Sequence, residues 1–358
     1  MTKVWARRGA LAASLALLAG VACSSSNAAT NTNAAGPCTP AKSPVITLGA
    51  YSNPYDAYGK LTNTFASDWK TNHGQQVIFQ MSFTGSTTQA ENIISGFPAD
   101  IYASSLAPDV ELVQKAGLIT HDWQHDADGS IVATSVVGFM VRPGNPKNID
   151  DWTDLLQPGL KILTPDPAQS GGAKWNIVAA YGAAIRGKVP GYAANSQADA
   201  QRFLQAVFKN VTVLDKSAND SFKDFESGNG DVAITYENQA LAGVAAGSKD
   251  QFVIPSSTVS IQTPTVVVDK NAKAHCVTNI ADAFVKYLHT PDAQAVFAKV
   301  GYERPIDVAT AQKGDGAQFP PIQDLFTTDD IGGWDKLASD TVFGPNGAFT
   351  QAFKAVHG

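Results

Sequence analysis

The sequence predicts an α/β protein of two lobes, each a mainly parallel sheet flanked by helices, the two joined by crossing strands. Three observations predict it. Short apolar runs alternate with stretches of helical period, the pattern of repeated β-α units. One long apolar run, Ser130 to Arg142, interrupts the alternation; Pro143-Gly144-Asn145-Pro146 stops it, and the series starts again. A second long β-rich run, Thr263 to Asp269, closes the restarted series, so two long strands flank a compact middle segment. At 358 residues the chain exceeds one small core and suits two domains.

In chain order, Val45 to Ala50 reads as the first strand. Tyr58, Leu61, Phe65 and Trp69 then share one helical face, and Gly74 supplies the stop. Gln76 to Ser82 is a second strand, Thr87 to Ile94 a helix, Ala99 to Ser104 a short strand and Val110 to Ala116 a helix. Beyond the interrupting strand, Asp150 and Asp151 before Trp152 look like a helix start. The restarted series has helices over 171–186, 197–209 and 237–246, and strands over 211–214 and 231–236. These spans place 44–136 and 264–358 in lobe 1 and 137–263 in lobe 2. No repeat of 20–50 residues is visible.

The N-terminus reads as an export signal over residues 1–22. Lys3, Arg7 and Arg8 precede an apolar run from Ala10 to Ala22 that is too short to span a bilayer and rich in small residues. It ends in Gly20-Val21-Ala22-Cys23, which resembles a bacterial lipobox. That resemblance implies lipidation of Cys23 and an anchor on the extracytoplasmic face of the cell membrane; the plainer alternative is an ordinary secretory signal. Residues 23–43 are rich in Ser, Asn, Ala, Thr and Pro and read as a flexible tether. Cys38 and Cys276 form an even pair suited to an oxidising compartment, and a disulfide between them or two unpaired thiols both stay open.

Composition narrows the function. The chain is 44% hydrophobic and 16% charged, with a formal charge of -6. Without Lys3, Arg7 and Arg8 the balance is 23 basic against 32 acidic residues, a net of -9. Nucleic-acid binding rests on neutralised phosphates and is disfavoured. A small anion would need a local site. One is at hand in Thr164-Pro165-Asp166-Pro167-Ala168-Gln169-Ser170-Gly171-Gly172-Ala173-Lys174-Trp175, where a turn runs into Ser-Gly-Gly and then an apolar helix. Ser170 fits an N-cap, and the first amides of a helix are ready anion donors.

This run resembles a signature of the bacterial sulfate-binding proteins, the soluble receptors of sulfate ABC importers. Pro167, Ser170, Gly171 and Ala173 agree with its Asn-Pro-Lys-Ser/Thr-Ser-Gly-x-Ala-Arg pattern, while Asp166, Ala168, Gln169 and Lys174 depart from it. Similar runs are Lys70 to Ser82, Arg142 to Lys147, Gly230-Asp231-Val232 with Glu237-Asn238, and Gly332-Gly333-Trp334. The resemblance spans about 45–345 and implies a periplasmic-binding-protein-like fold that closes on one ligand. It implies a monomer without cofactor or metal that delivers sulfate to a membrane permease. Carried onto matching positions, Ser170, Gly171, Gly172 and Ala218 would donate from one lobe, Ser86 and the Asn53 backbone from the other. Tyr236 stands where the family has a tryptophan donor.

The residue types agree with that implication. Sulfate is fully deprotonated at neutral pH, so its site should hold donors only, whereas phosphate keeps a proton and needs an acceptor. A charged acceptor buried against sulfate would cost about 1–3 kcal/mol or more. Asp166 is expected to turn away and bond its own backbone, as Asx residues do in turns. Thiosulfate, then molybdate or tungstate, are the alternative ligands within this fold. A secreted hydrolase is the alternative of another class, but Ser170 has no sequence-evident His and acid partners. The polar stretch His121 to Gly129, with histidines four apart, reads as a solvated loop rather than a metal site, and His275 as a surface residue.

Overall fold

The computed structural model describes Cys38, residues 41–306 and residues 319–357. The expected export signal, Cys23 and most of the expected tether lie outside the described residues. Ten strands are described: β1 Val45–Tyr51, β2 Ile78–Thr84, β3 Ile101–Ala103, β4 Ile131–Val141, β5 Ile162–Pro165, β6 Val211–Asp215, β7 Val232–Tyr236, β8 Gln251–Val253, β9 Ser257–Val267 and β10 Asp324–Phe326. They follow one path, β2-β1-β3-β9-β4-β7-β5-β6, with β10 beside β9 and β8 beside β4.

In the first lobe β1 runs parallel to both β2 and β3. In the second, β5 runs parallel to β6 and β7. The two long strands join them. β4 pairs antiparallel with β9 through Ile131–Val136 and with β7 through Val137–Val141. β9 continues through Thr265–Val267 onto β3. One strand pair therefore belongs to both sheets, and Thr39–Gly358 holds together as one compact unit.

Alternation along the strands explains why both faces of each sheet are covered. In the first lobe Ile46, Leu48, Ala50 and Ile101 point into one core, while Tyr102 and Val266 point into another on the opposite face. In the second, Val137, Phe139, Ile162 and Ile234 face one core, and Met140, Leu163 and Ala233 the other. Helix α1 (Tyr55–His73) stops at Gly74, whose φ of 67° and N–H bond to the Lys70 carbonyl make a left-handed cap. Helices α2 (Ser86–Ile94) and α3 (Ala107–Lys115) complete the first series. Helix α4 (Gly171–Ile185) is buried along nearly its whole length, as an all-round apolar helix must be. Then follow α5 (Gln197–Phe208), α6 (Ala218–Glu226) and α7 (Glu237–Ala245).

The expected elements recur with shifts of a few residues at their ends. Asp151 caps a short 3-10 turn, Trp152–Leu156, through a reciprocal box with Asp154. β9 begins at Ser257, six residues before the expected start, because its polar Ser, Thr and Gln residues hide the strand. The stretch from His121 to Gly129 is mostly exposed, as expected of a solvated loop. It forms two short turns pinned by the buried Trp123 indole and by Asp269, whose carboxylate lies 2.8 Å from His121 Nδ1. His275 is exposed, as expected of a surface residue, and its Nδ1 lies 2.7 Å from Oδ1 of the buried Asp100.

The C-terminal region departs most from expectation. Assigned from sequence to lobe 1, residues 324–357 pack instead on lobe 2. Phe326, Phe349 and Ala352 are buried in the core that holds α4 and α5. Phe208 meets Phe349 in a tilted contact at 5.1 Å and Phe353 edge-on at 5.9 Å. Asp324 receives Arg186 Nη1 at 2.6 Å and Nη2 at 3.1 Å. The Phe326 ring fills the space over Gly182, where a Cβ would lie 2.2 Å from its Cζ. Apolar area on α4 and α5 thus decides the docking. We expect Phe326→Ala to lower unfolding free energy by about 3–5 kcal/mol in urea titrations, with anion binding retained in the folded fraction.

Candidate functional site

The β strands of both lobes end toward one small cavity. It is lined by Tyr51, Ser52, Asn53, Ser86, Ser105, Ser170, Gly172, Ala218 and Tyr236. Six of the seven expected residues are brought together here. Gly171, the seventh, lies just behind: a Cβ there would stand 2.0 Å from Leu106 Cδ2 and 2.1 Å from Ser105 Oγ. The cavity has a volume of about 10 Å³. Organic ligands occupy pockets of roughly 300–1,000 Å³, so the space suits a small ion.

Local sequence explains how each wall is positioned. Asn53 lies two residues before α1. Ser86 opens α2, Ser170 is the N-cap of α4, and Ala218 opens α6. Four helices thus present their N-terminal turns, whose first amides have no intrahelical partner. Ser196, Ser217 and Thr290 cap their helices with side-chain bonds; Ser170 makes no such bond and keeps its hydroxyl at the cavity. A Cβ on Gly172 would lie 3.2 Å from Ala218 Cβ, 3.3 Å from Ser170 Oγ and 3.7 Å from the Tyr236 ring, and its amide belongs to the first turn of α4, which has no intrahelical partner.

The cavity's charge is unusual. None of its lining residues is ionised at neutral pH. Burial, first of all, raises the Tyr236 phenol well above its ordinary pKa, with the Ser105 hydroxyl opposing, so Tyr236 stays a neutral donor. Asn53 Nδ2, Ser105 Oγ and Tyr236 OH are buried without a hydrogen-bonding partner among the described residues. Leaving such groups unmatched is costly. Ser86 Oγ accepts from the Ser105 N–H at 3.1 Å and lies 3.0 Å from Ser104 Oγ. Ser104 and Tyr102 direct their own protons to the carbonyls of Leu106 and Ser86, so of these three hydroxyls Ser86 alone keeps a proton that is not committed to a carbonyl.

Asp166 behaves as expected. Its Oδ1 accepts from the Ala168 N–H and its Oδ2 from Gln169 Nε2, both at 2.9 Å, and it does not line the cavity. The lobes meet around the site. Trp175 Nε1 donates to the Ser105 carbonyl at 2.6 Å, and Lys174 Nζ to Thr87 Oγ1 at 2.9 Å. Arg304 grips Glu237 with Nε at 2.6 Å and Nη2 at 2.8 Å. Asn238 Nδ2 donates to Glu303 Oε1 at 2.9 Å, and Tyr51 OH donates to the same oxygen at 2.7 Å.

Sequence reasoning missed Tyr51, Ser52 and Ser105. Tyr51 and Ser52 follow β1 directly, beside Asn53, so proximity was the available signal. Ser105 sits in Ser104-Ser105-Leu106, a run that looks like any loop until β3 carries it to the N-terminus of α4. Among the described residues, no group of three or more His, Cys, Asp or Glu side chains is arranged to hold a metal, and no helix is long and apolar enough to cross a membrane.

Glu303 yields a pH prediction. Burial raises its carboxyl from 4.5 to about 7, against the lowering effect of the Tyr51 and Asn238 bonds. The native state therefore holds a proton that the unfolded chain releases. Its stabilisation is complete below about pH 4.5 and fades as pH rises through about 7, by about 3 kcal/mol in all. Glu303→Gln should flatten this part of the stability profile, measured by urea unfolding from pH 5 to 8.

With this geometry in place, the chain can be set beside known proteins. Residues 46–303 match the family model described as bacterial extracellular solute-binding protein. A sulfate-binding protein of Salmonella typhimurium is 40% identical over 310 residues, 85% of this chain and 92% of that one. A sulfate-binding protein of Synechococcus elongatus is 38% identical over 314 residues, 87% of each. Among solved structures, the sulfate-binding protein SubI from Mycobacterium tuberculosis superposes with a TM-score of 0.76 at 34% identity, covering 84% of this chain and 99% of that one.

Proposed function

The chain belongs to the bacterial extracellular solute-binding proteins, and from that premise we propose that it is a sulfate receptor serving an ABC permease. The observation that carries the reading is the lining itself: Asn53, Ser86, Ser170, Gly172, Ala218 and Tyr236 offer neutral donors, and no ionised side chain joins them. Sulfate can only accept, so a wall of donors matches it and a carboxylate would repel it. Gly171 adds an amide at the start of α4. Each hydrogen bond to a charged group is worth roughly 1.5–3 kcal/mol, and the summed helix termini add to this when enclosed. Several together reach micromolar affinity or better after ordering costs.

Ligand capture is lobe closure about β4 and β9, and release is reopening at the permease. Dispersing the charge over many neutral donors, with no cation in the lining, keeps reopening feasible. The receptor is exported by its N-terminal signal, lipid-anchored through Cys23 and monomeric. Cys38 and Cys276 pair with each other, a reading supported by both being in disulfide form.

Calorimetric titration of the desalted mature protein tests the ligand. Stoichiometric sulfate binding is expected; binding of phosphate or molybdate with no response to sulfate would overturn the reading, and a tighter response to thiosulfate would reassign it. Ser170→Ala and Ser86→Ala should each weaken sulfate by roughly 1.5–3 kcal/mol at unchanged fold. Wild-type affinity in both would mean that the site is misplaced.

A further inference from the structure

Two hydroxyls remain without partners in the closed cavity: Ser105 Oγ from the first lobe and Tyr236 OH from the second. Both residues are 1% exposed and line the same space. Tyr236 was expected there; Ser105 was not. Both border the glycine step that opens α4. A Cβ on Gly171 would touch Ser105 Oγ at 2.1 Å, and one on Gly172 would lie 3.7 Å from the Tyr236 ring. A buried hydroxyl with no acceptor is a debt in any fold. Two at the same helix N-terminus mark a place where an acceptor belongs.

The backbone of Ser105 is fixed from both sides. Its N–H donates to Ser86 Oγ at 3.1 Å, within its own lobe. Its carbonyl accepts from the Trp175 indole at 2.6 Å, across the cleft. Trp175 stands four residues beyond Gly171 on α4, so the bond that seats Ser105 is made only when the lobes close. Closure therefore delivers the Ser105 hydroxyl to the front of α4, where Tyr236 already stands.

On the reading of the site as a sulfate site, we propose that Ser105 is an anion-binding residue, a closure-dependent donor that works as a pair with Tyr236 on one edge of the bound oxyanion. A tyrosine alone reaches an oxyanion with one hydrogen bond from one lobe. The serine supplies a second from the other lobe, so this edge of the ligand is held only in the closed form. Ser105 thus links affinity to closure.

The test is sulfate titration by calorimetry, with thermal unfolding at zero and saturating sulfate, on the full mature protein and on Ser105→Ala, Tyr236→Phe and the double variant. Removing an unmatched buried hydroxyl should leave the sulfate-free Tm unchanged or raised. Ser105→Ala should weaken sulfate about 10- to 100-fold and shrink the sulfate-induced rise in Tm accordingly. Most of the loss should appear as faster dissociation, because the donor arrives with closure. In the double variant the combined loss should differ from the product of the single losses, as expected of two groups on one ligand edge. Wild-type affinity in Ser105→Ala overturns the proposal, as does a lower sulfate-free Tm with the sulfate-induced rise intact, which marks a structural serine. Multiplicative losses overturn the pairing. Failure of the unaltered protein to bind sulfate would instead sink the functional reading on which the proposal rests.

Discussion

Everything at the site depends on how closely the two lobes approach at the start of α4. Gly171 meets Leu106 and Ser105 where a single methyl group would not fit, and Gly85 meets the Gln169 carbonyl, where a Cβ would stand 2.4 Å away. These contacts are backbone against backbone or against short side chains. They let neutral donors from both lobes converge on a space of one small ion. An anion held without a cation in its lining needs this enclosure, because each neutral donor gains strength only where water is excluded. A larger residue at either glycine would prop the lobes apart and weaken every donor at once.

Closure is secured beside the cavity rather than inside it. Lys174 reaches Thr87 and lies 3.4 Å from the buried Asp109. Arg304 and Glu237 form a fork-to-fork pair at the base of the cleft, where burial raises the Glu237 carboxyl and Arg304 pulls it down again. Ionised groups are therefore present around the cleft, yet each is matched by a partner and none lines the cavity. The division is physically sensible. Charged pairs give orientation and specificity of closure, while the ligand meets only neutral donors. Glu303 is the exception that tests this division. It is fully buried, joins Tyr51 of one lobe to Asn238 of the other, and is brought near neutrality by burial.

Much of this was legible in the sequence, and the residues that were not show why. Strands and helices of the first series follow from periodicity, since Ile46, Leu48 and Tyr58, Leu61, Phe65 each mark one face. Ser170 and the two glycines announce a helix N-terminus by chemistry alone. Asn53, Ser86, Ala218 and Tyr236 could be named only through resemblance to a family, because nothing local distinguishes them from ordinary loop or core residues. Ser105 escaped both routes. Its role depends on two long-range contacts, to Ser86 and to Trp175, that no sequence window contains. The C-terminal segment was misplaced for a related reason: Phe326 and Phe349 declare themselves apolar, but the surface that receives them is made by α4 and α5, about 150 residues earlier.

Asp166 is the residue most able to contradict a donor-only site, and its geometry resolves the difficulty. It occupies the signature turn where the resembling family carries an asparagine, four residues before Ser170. A free carboxylate there would face an anion across a few ångströms. Instead both oxygens are occupied, one by the Ala168 N–H and one by the Gln169 side chain. Gln169 itself departs from the family pattern, and its amide is what an aspartate, unlike an asparagine, needs in order to hold two acceptor oxygens inward on the turn. The Asp166 carbonyl then accepts the Ser170 N–H at 2.9 Å, which sets the residue at the head of α4. The two departures compensate each other, so the turn keeps its shape and its negative charge is spent on its own backbone and neighbour rather than on the cavity.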